Sequence, residues 1–386
     1  MTLDFNATSE RAAPNAVGPR TDGVPRTLRT GAFDFETGGW LPELVIGYET
    51  WGRLNADASN AVLLQHALTG DPHVARGDSD EPGWWDGFVG PGKTLDTDRY
   101  FVVAANMVGG CNGTSGPSSP DPDGAPWGSR FPFTTVRDSV RAEARLADAL
   151  GVARWHSVIG GSLGGARALE WAAEFPGRVG ACVVIAAAAE ASAEQIAFAQ
   201  AQTAAIRLDP HFAGGDYYGG TAPVAGLGLA RRIAHITYRS EPELDVRFGR
   251  RPQPGEEPLG SATMERGRYQ VESYLDHQAA KLSGRFDANS YLVLTESLMS
   301  HDVGRGRGGV DAALAGLGSV EFVVAAVDSD RLYWPAQSER LAAALPGRPA
   351  VRYISSPLGH DGFLTDIEQL DGGLRGSLYG QPTRND

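Results

Sequence analysis

Apolar and polar positions fall into two patterns along this chain. Short apolar runs recur: "LVIGYETWG" from Leu44, "AVLLQHA" from Ala61, "YFVVAAN" from Tyr100, "WHSVIGG" from Trp155 and "ACVVIAA" from Ala181, then "VEFVVAAV" from Val320 and "VRYIS" from Val351. Several are continuously apolar, which predicts central strands of a mainly parallel sheet buried on both faces. Helical repeats lie between them. "TTVRDSVRAEARLADALG" sets Val136, Val140, Leu146 and Leu150 on one face, with Thr135 and Asp138 to cap its start and Gly151 to end it. "PAQSERLAAAL" is a second helix, opened by Pro335. Strands alternating with helices predict an open α/β sheet.

The rhythm breaks between about residues 190 and 309. "SAEQIAFAQAQTAAIRL", "GLGLARRIAHITYRS" and "RYQVESYLDHQAAKL" read as helices, and clear strand runs are missing. The predicted organisation is an α/β core in two parts, 1–189 and 310–386, separated by a helical lid insertion at 190–309. The first thirty or so residues are polar and dotted with proline, and read as a lead-in or an edge hairpin. "RPQPGEEPLG" from Arg251 reads as a mobile surface loop. No internal repeat is present.

Composition narrows the class. A length of 386 residues suits about two average domains, or one large α/β domain with an insertion. The formal net charge of -13 disfavours nucleic acid and anionic membranes as partners. No run approaches the length of a membrane-spanning helix, and the start of the chain does not resemble a signal peptide. Two cysteines, Cys111 and Cys182, are too few for a disulfide framework or a thiolate metal site. Of 34 basic residues only Lys93 and Lys281 are lysine, which fits the codon bias of a GC-rich genome. A cytoplasmic enzyme is the expectation.

The sharpest local signal is "VIGGSLGGARALEW" from Val158. A strand ends in Gly160-Gly161-Ser162 and a helix follows at once. This is the setting of the G-x-S-x-G nucleophile elbow, here Gly160-x-Ser162-x-Gly164. Small neighbours let strand and helix approach, and the backbone N–H of Leu163 can face an oxyanion. A dinucleotide-binding turn is the bland alternative, but Ser162 stands where that fingerprint needs its middle glycine.

A nucleophilic serine needs a base, and elbow enzymes supply it in the chain order Ser, Asp or Glu, then His. "SSPLGHDGFL" places His360 just after the last predicted strand. The acid belongs after "VEFVVAAV", where "VDSDRLYWP" offers Asp328 and Asp330; spacing does not separate them. A second oxyanion donor belongs after "LLQHALTG", with the N–H of Leu68 as candidate and Ala67 or Thr69 as register alternatives. His66 and His73 lack the further ligands a metal site needs. Cys111 reads as a small buried residue and "GWWDG" from Gly83 as a packed aromatic anchor; "GRGRGG" from Gly304 resembles an RNA-binding tract, but one copy in an acidic chain is weak evidence for one.

Taken in order, "HALTG", "GGCNGTSGPSS", "WGSRFP", "GGSLGGARALEW", "LARRIAHITYRS", "SHDVGRGRGG" and "GHDGFL" resemble the homoserine O-acetyltransferases, most closely the actinobacterial ones. The likeness runs from about residue 44 to 364. It implies an α/β-hydrolase fold with a mainly parallel sheet and a helical lid. It implies Ser162 as nucleophile, Asp330 as acid and His360 as base, with Arg231 and Asp361 contacting the amino-acid acceptor. An arginine suits a carboxylate and an aspartate suits an ammonium group. Without the likeness, Arg231 beside Arg232 reads as a solvated helix face. Two departures stand out: Leu163 replaces the family's usual methionine, and Trp334 precedes Pro335.

The implied reaction moves an acetyl group from acetyl-CoA to L-homoserine through an acyl-serine, with ping-pong kinetics. The implied state is a homodimer joined through the insertion, with no metal and no bound cofactor; acetyl-CoA is a co-substrate. The rivals are a succinyl donor or a serine acceptor in the same mechanism, a serine esterase, and a non-enzymatic binding protein.

Overall fold

In the computed structural model, which describes residues 22–260, 264–371 and 374, every apolar run named above contains a strand. With a further strand ahead of them, these strands in chain order are β1 (Arg26–Arg29), β2 (Val45–Trp51), β3 (Ala61–Gln65), β4 (Phe101–Ala105), β5 (Trp155–Gly161), β6 (Val179–Ile185), β7 (Glu321–Val327) and β8 (Arg352–Ile354). They form one sheet in the order β1-β2-β4-β3-β5-β6-β7-β8. The first two pairings, β1 with β2 and β2 with β4, are antiparallel, and every other is parallel. Of the segment expected as a lead-in or edge hairpin, residues 1–21 lie outside the described residues, and β1 is an edge strand laid against β2.

Alternate residues of one strand serve two cores, as the pleat requires. In β5, Val158 faces a cluster with Trp155, Leu169 and Trp171, while Ile159 faces another with Trp85, Phe88, Ile185 and Phe363. The central strands are buried on both sides, which accounts for their unbroken apolar sequence.

Helix α1 (Val136–Ala149) starts in a capping box between Thr135 and Asp138, and α2 (Leu163–Glu174) follows β5. Between β6 and β7 come α3 (Ala193–Arg207), α4 (Val224–Tyr238), α5 (Glu241–Arg247), α6 (Gln270–Ser283) and α7 (Ala288–Met299). The helical insertion therefore sits on one connection of the sheet, and it holds two helices, α5 and α7, beyond the three read from sequence. Helix α8 (Val310–Ala315) leads back to β7, and α9 (Pro335–Ala344) joins β7 to β8.

The chain returning from the insertion is fastened by charge. Arg305 pairs with Glu36, and Arg307 pairs with both Glu170 and Glu174 on α2. The "GRGRGG" tract is therefore a structural clamp, and its arginines are engaged within the fold. No helix among the described residues is long and apolar enough to cross a membrane.

One buried ion pair underlies the elbow. Arg167 of α2 and Glu143 of α1 are both almost fully buried and in contact. Glu143 also accepts hydrogen bonds from Gln65 Nε2 and Trp171 Nε1, each at 2.6 Å. Three elements thus meet on one carboxylate. Glu143→Ala leaves the Arg167 charge unpaired in the interior and is expected to lose about 3–5 kcal/mol in urea unfolding. Replacing both residues with apolar side chains of similar volume is expected to recover most of that loss.

Candidate active site

The carboxyl ends of β3, β5, β7 and β8 converge, and the candidate residues leave from them. Open α/β sheets bind ligands at this edge. Ser162 is the single residue between β5 and α2, with φ 59° and ψ -127°. Such a backbone is strained for a residue with a Cβ and persists only where packing fixes it.

The surrounding glycines show what fixes it. A Cβ on Gly160 would lie 2.1 Å from the Gly164 carbonyl oxygen, and one on Gly164 would lie 2.1 Å from that of Gln65. One on Gly161 would meet the Phe363 ring at 2.4 Å, and one on Gly165 would meet Ala187 Cβ at 2.7 Å. The sequence needs glycine there because β5, α2 and the end of β3 touch through their backbones, while the Phe363 ring and Ala187 Cβ close over Gly161 and Gly165. The start of α2, with its partial positive charge, lies behind Ser162.

His360 lies in a helical turn after β8. Its Nδ1–H donates to Asp330 Oδ2 at 2.6 Å. The other oxygen of Asp330 accepts from the N–H groups of Leu332 and Tyr333, at 2.8 and 2.9 Å. Of the two aspartates that spacing leaves open, Asp330 meets the imidazole. Asp328 instead accepts from the Ser355 hydroxyl at 2.9 Å and the Ser356 N–H at 3.1 Å.

Three aromatic rings surround the imidazole: Tyr333 stacked at 5.3 Å, Phe363 edge-on at 5.2 Å and Tyr238 at 5.9 Å. Burial favours the neutral ring. The charge and hydrogen bond of Asp330, aided by the charge of Asp361, outweigh burial and leave the pKa of His360 above its usual value. Nε2 is buried and has no hydrogen-bond partner among the described residues, so it is the nitrogen available to a hydroxyl. No hydrogen bond joins it to Ser162 here.

Leu68 follows β3 in the stretch that touches Gly164. Neither its N–H nor that of Leu163 donates to an acceptor among the described residues. His66, which sequence reasoning weighed only as a metal ligand, shapes this stretch. Its Nδ1–H donates to Ala67 O at 2.7 Å, and its Nε2 accepts from the Met107 N–H at 3.1 Å. Burial, then the charge of Arg167, push its pKa down to about 3, so the ring stays neutral in this tautomer.

Arg231 and Asp361 come from different layers. Arg231 sits on α4 and reaches Thr69 Oγ1 at 3.4 Å, beside Leu68. Its neighbour Arg232 pairs with Asp276 instead, so the solvated-face reading fits Arg232 and not Arg231. Asp361 follows His360 and pairs with Arg239 Nη2 at 3.2 Å. Arg231 and Asp361 do not touch, but Arg231 lies close enough for its charge to lower the Asp361 pKa.

A family model described as alpha/beta hydrolase fold matches residues 60–367. The homoserine O-acetyltransferase of Thermobifida fusca (strain YX) is 57% identical over 87% of this chain and 88% of that protein. The chain belongs to the homoserine O-acetyltransferase family. Its structure resembles that of the homoserine O-acetyltransferase from Bacillus anthracis, with a TM-score of 0.84, 27% identity and coverage of 92% of this chain and 97% of that one. It also resembles esterase E22, with a TM-score of 0.83, 25% identity and coverage of 92% and 99%.

The two departures from the family pattern are accommodated. Leu163 is fully buried in an apolar cluster with Leu68, Met107, Leu227 and Tyr291. Trp334 lies half exposed outside the loop, its ring N–H donating to Glu194 at 3.1 Å. Burial pushes the Cys111 thiol up to about 11, which makes it a poor nucleophile. His73 donates to Glu49 at 2.8 Å, away from His66. Trp85, the expected anchor, donates through its ring N–H to Phe363 O at 3.3 Å. Sequence reasoning gave no role to Tyr238, Arg239 or Tyr333, although the first two lie within the "LARRIAHITYRS" stretch.

Asp330→Asn should slow acylation of Ser162 by p-nitrophenyl acetate on the order of 10³–10⁴-fold, because the amide mis-sets the imidazole tautomer. Asp328→Asn should stay within about tenfold of wild type, since it loses only loop hydrogen bonds. The base works only when neutral. The acid limb of the pH–rate profile should therefore lie above the ordinary imidazole value of 6.5, since the carboxylates raise the pKa of His360. A limb below that value would contradict the assignment.

Proposed function

We propose that the protein transfers an acetyl group to the hydroxyl of L-homoserine, giving O-acetyl-L-homoserine in methionine biosynthesis. One observation carries the reading. The Asp330–His360 pair and the strained Ser162 occur together in a chain 57% identical, over 87% of its length, to a homoserine O-acetyltransferase.

The donor is acetyl-CoA. His360 Nε2 takes the proton from Ser162, whose oxygen attacks the thioester carbon. The N–H groups of Leu163 and Leu68 receive the charge that develops on the carbonyl oxygen. The C–S bond breaks, the sulfur leaves with the proton held by His360, and an acetyl-serine remains. Homoserine then enters, with its carboxylate toward Arg231 and its ammonium toward Asp361. His360 takes its hydroxyl proton, the hydroxyl oxygen attacks the acetyl carbon, and Ser162 regains a proton as it leaves. These steps use no metal and no bound cofactor.

The proposed assembly is a homodimer through the insertion. Ile196, Val224, Leu229 and Ile236 of α3 and α4, with Leu208 just beyond α3, expose apolar side chains that a second copy would cover. The proposed compartment is the cytoplasm, where both cysteines stay unpaired.

The test is release of free thiol from acetyl-CoA, with and without L-homoserine. The expected result is rapid turnover only with homoserine, parallel lines in the two-substrate kinetics, and loss of at least about 10⁴-fold in Ser162→Ala. Equal turnover without homoserine makes water the acceptor and favours a hydrolase, the activity named for esterase E22. Faster release from succinyl-CoA, or with L-serine as acceptor, reassigns the donor or the acceptor.

A further inference from the structure

The loop that carries His360 docks on the junction between α4 and α5 of the insertion. Gly359 has φ +75°, and a Cβ there would meet Ser240 N at 2.6 Å and Tyr238 O at 2.7 Å. The Ser240 hydroxyl donates to Pro357 O. Arg239 sits in the same junction and is largely buried. Its Nη2 pairs with Asp361 Oδ2 at 3.2 Å and its Nη1 approaches Glu243 Oε1 at 3.7 Å. Its Nε is buried without a hydrogen-bond partner among the described residues.

A buried guanidinium is a costly way to staple two loops, and the Ser240–Pro357 bond and the Gly359 contact already do that. What Arg239 adds is a charge on one oxygen of Asp361. The other oxygen, Oδ1, accepts no hydrogen bond among the described residues. Resting on the function proposed above, we infer that Arg239 is a positioning residue for the acceptor. It orients the Asp361 carboxylate so that Oδ1 faces the ammonium group of the incoming amino acid.

The electrostatics agree with the geometry. Burial pushes the Asp361 pKa up, and Arg239 is the strongest group opposing it, ahead of His360 and Arg231, while Asp330 adds to the rise. Glu243 and Tyr274 also face Arg239. Without Arg239, Asp361 takes up a proton more readily and becomes a poorer partner for a cation.

The experiment separates the two half-reactions. Thiol release in the first turnover with acetyl-CoA alone reports acylation of Ser162. Steady-state turnover at saturating acetyl-CoA with varied L-homoserine reports the acceptor. Arg239→Gln is expected to keep the first within about threefold and to raise the homoserine KM roughly tenfold or more, the size of a lost charge-assisted contact. Arg239→Lys should recover part of that rise. In Arg239→Gln the acid limb of kcat/KM for homoserine should move to higher pH, while that of the acylation step stays in place. An unchanged homoserine KM with a homoserine-dependent wild type overturns this inference alone. Parallel loss of both half-reactions in both variants also overturns it, because that is what a purely structural role produces. A wild type indifferent to homoserine overturns the proposed function and this inference with it.

Discussion

The structure depends on backbone-to-backbone contact at the elbow. Strand β5, the start of α2 and the end of β3 approach more closely than any Cβ permits at Gly160 or Gly164. That contact holds Ser162 at positive φ and lifts it above the sheet edge. It also brings the stretch after Gln65 against the first turn of α2, and Leu68 and Leu163 pack in one apolar cluster. Below the contact, Glu143 binds Gln65, Arg167 and Trp171 at once. The polar network under the elbow therefore ties two of these elements, β3 and α2, to α1.

Two buried histidines show how the site divides its electrostatics. His360 and His66 lose comparable solvation, yet their pKa values move in opposite directions. His360 faces carboxylates, Asp330 and Asp361, which support its charged form. His66 faces Arg167, which opposes it. The first can take and return a proton, and the second stays a neutral strut between Ala67 and Met107. The chain is acidic overall, but its local charges run both ways where the chemistry occurs. Net charge therefore speaks to partners the protein avoids and not to how the site works.

Much of the fold was legible because central parallel strands need unbroken apolar runs and the elbow needs glycine. The β5–Ser162–α2 unit could be read from fourteen letters, since its constraints are local. The partner of His360 could not. Asp328 and Asp330 both follow β7, and only the fold shows one turned to the imidazole and the other to Ser355 and Ser356. Arg231 and Arg232 pose the same problem on a helix: one step along α4 separates a side chain facing Thr69 from one paired with Asp276. Arg239 and Tyr333 were invisible for a further reason. Their roles come from contacts between segments far apart in sequence, which the stretches that contain them do not disclose.

A shared fold and shared elbow chemistry leave the choice of acceptor open, as the likeness to both a homoserine O-acetyltransferase and an esterase makes plain. An acyl-serine reacts with whatever hydroxyl reaches the imidazole, and water is always present. Discrimination therefore has to come from groups that gain more by holding an amino acid than by staying hydrated. In this structure those groups lie where the insertion meets the His360 loop: Arg231 and Arg239 from α4 and its end, Asp361 from the loop itself. On the proposed function, the core would supply the nucleophile and the base, and the insertion an arginine for the acceptor's carboxylate and another that orients Asp361. Because the α4–α5 junction also clasps Pro357 and Gly359, the region that would recognise the acceptor also holds the base in place. A change in acceptor preference is thus expected to arise on α4 and its junction with α5 more readily than at Ser162, Asp330 or His360.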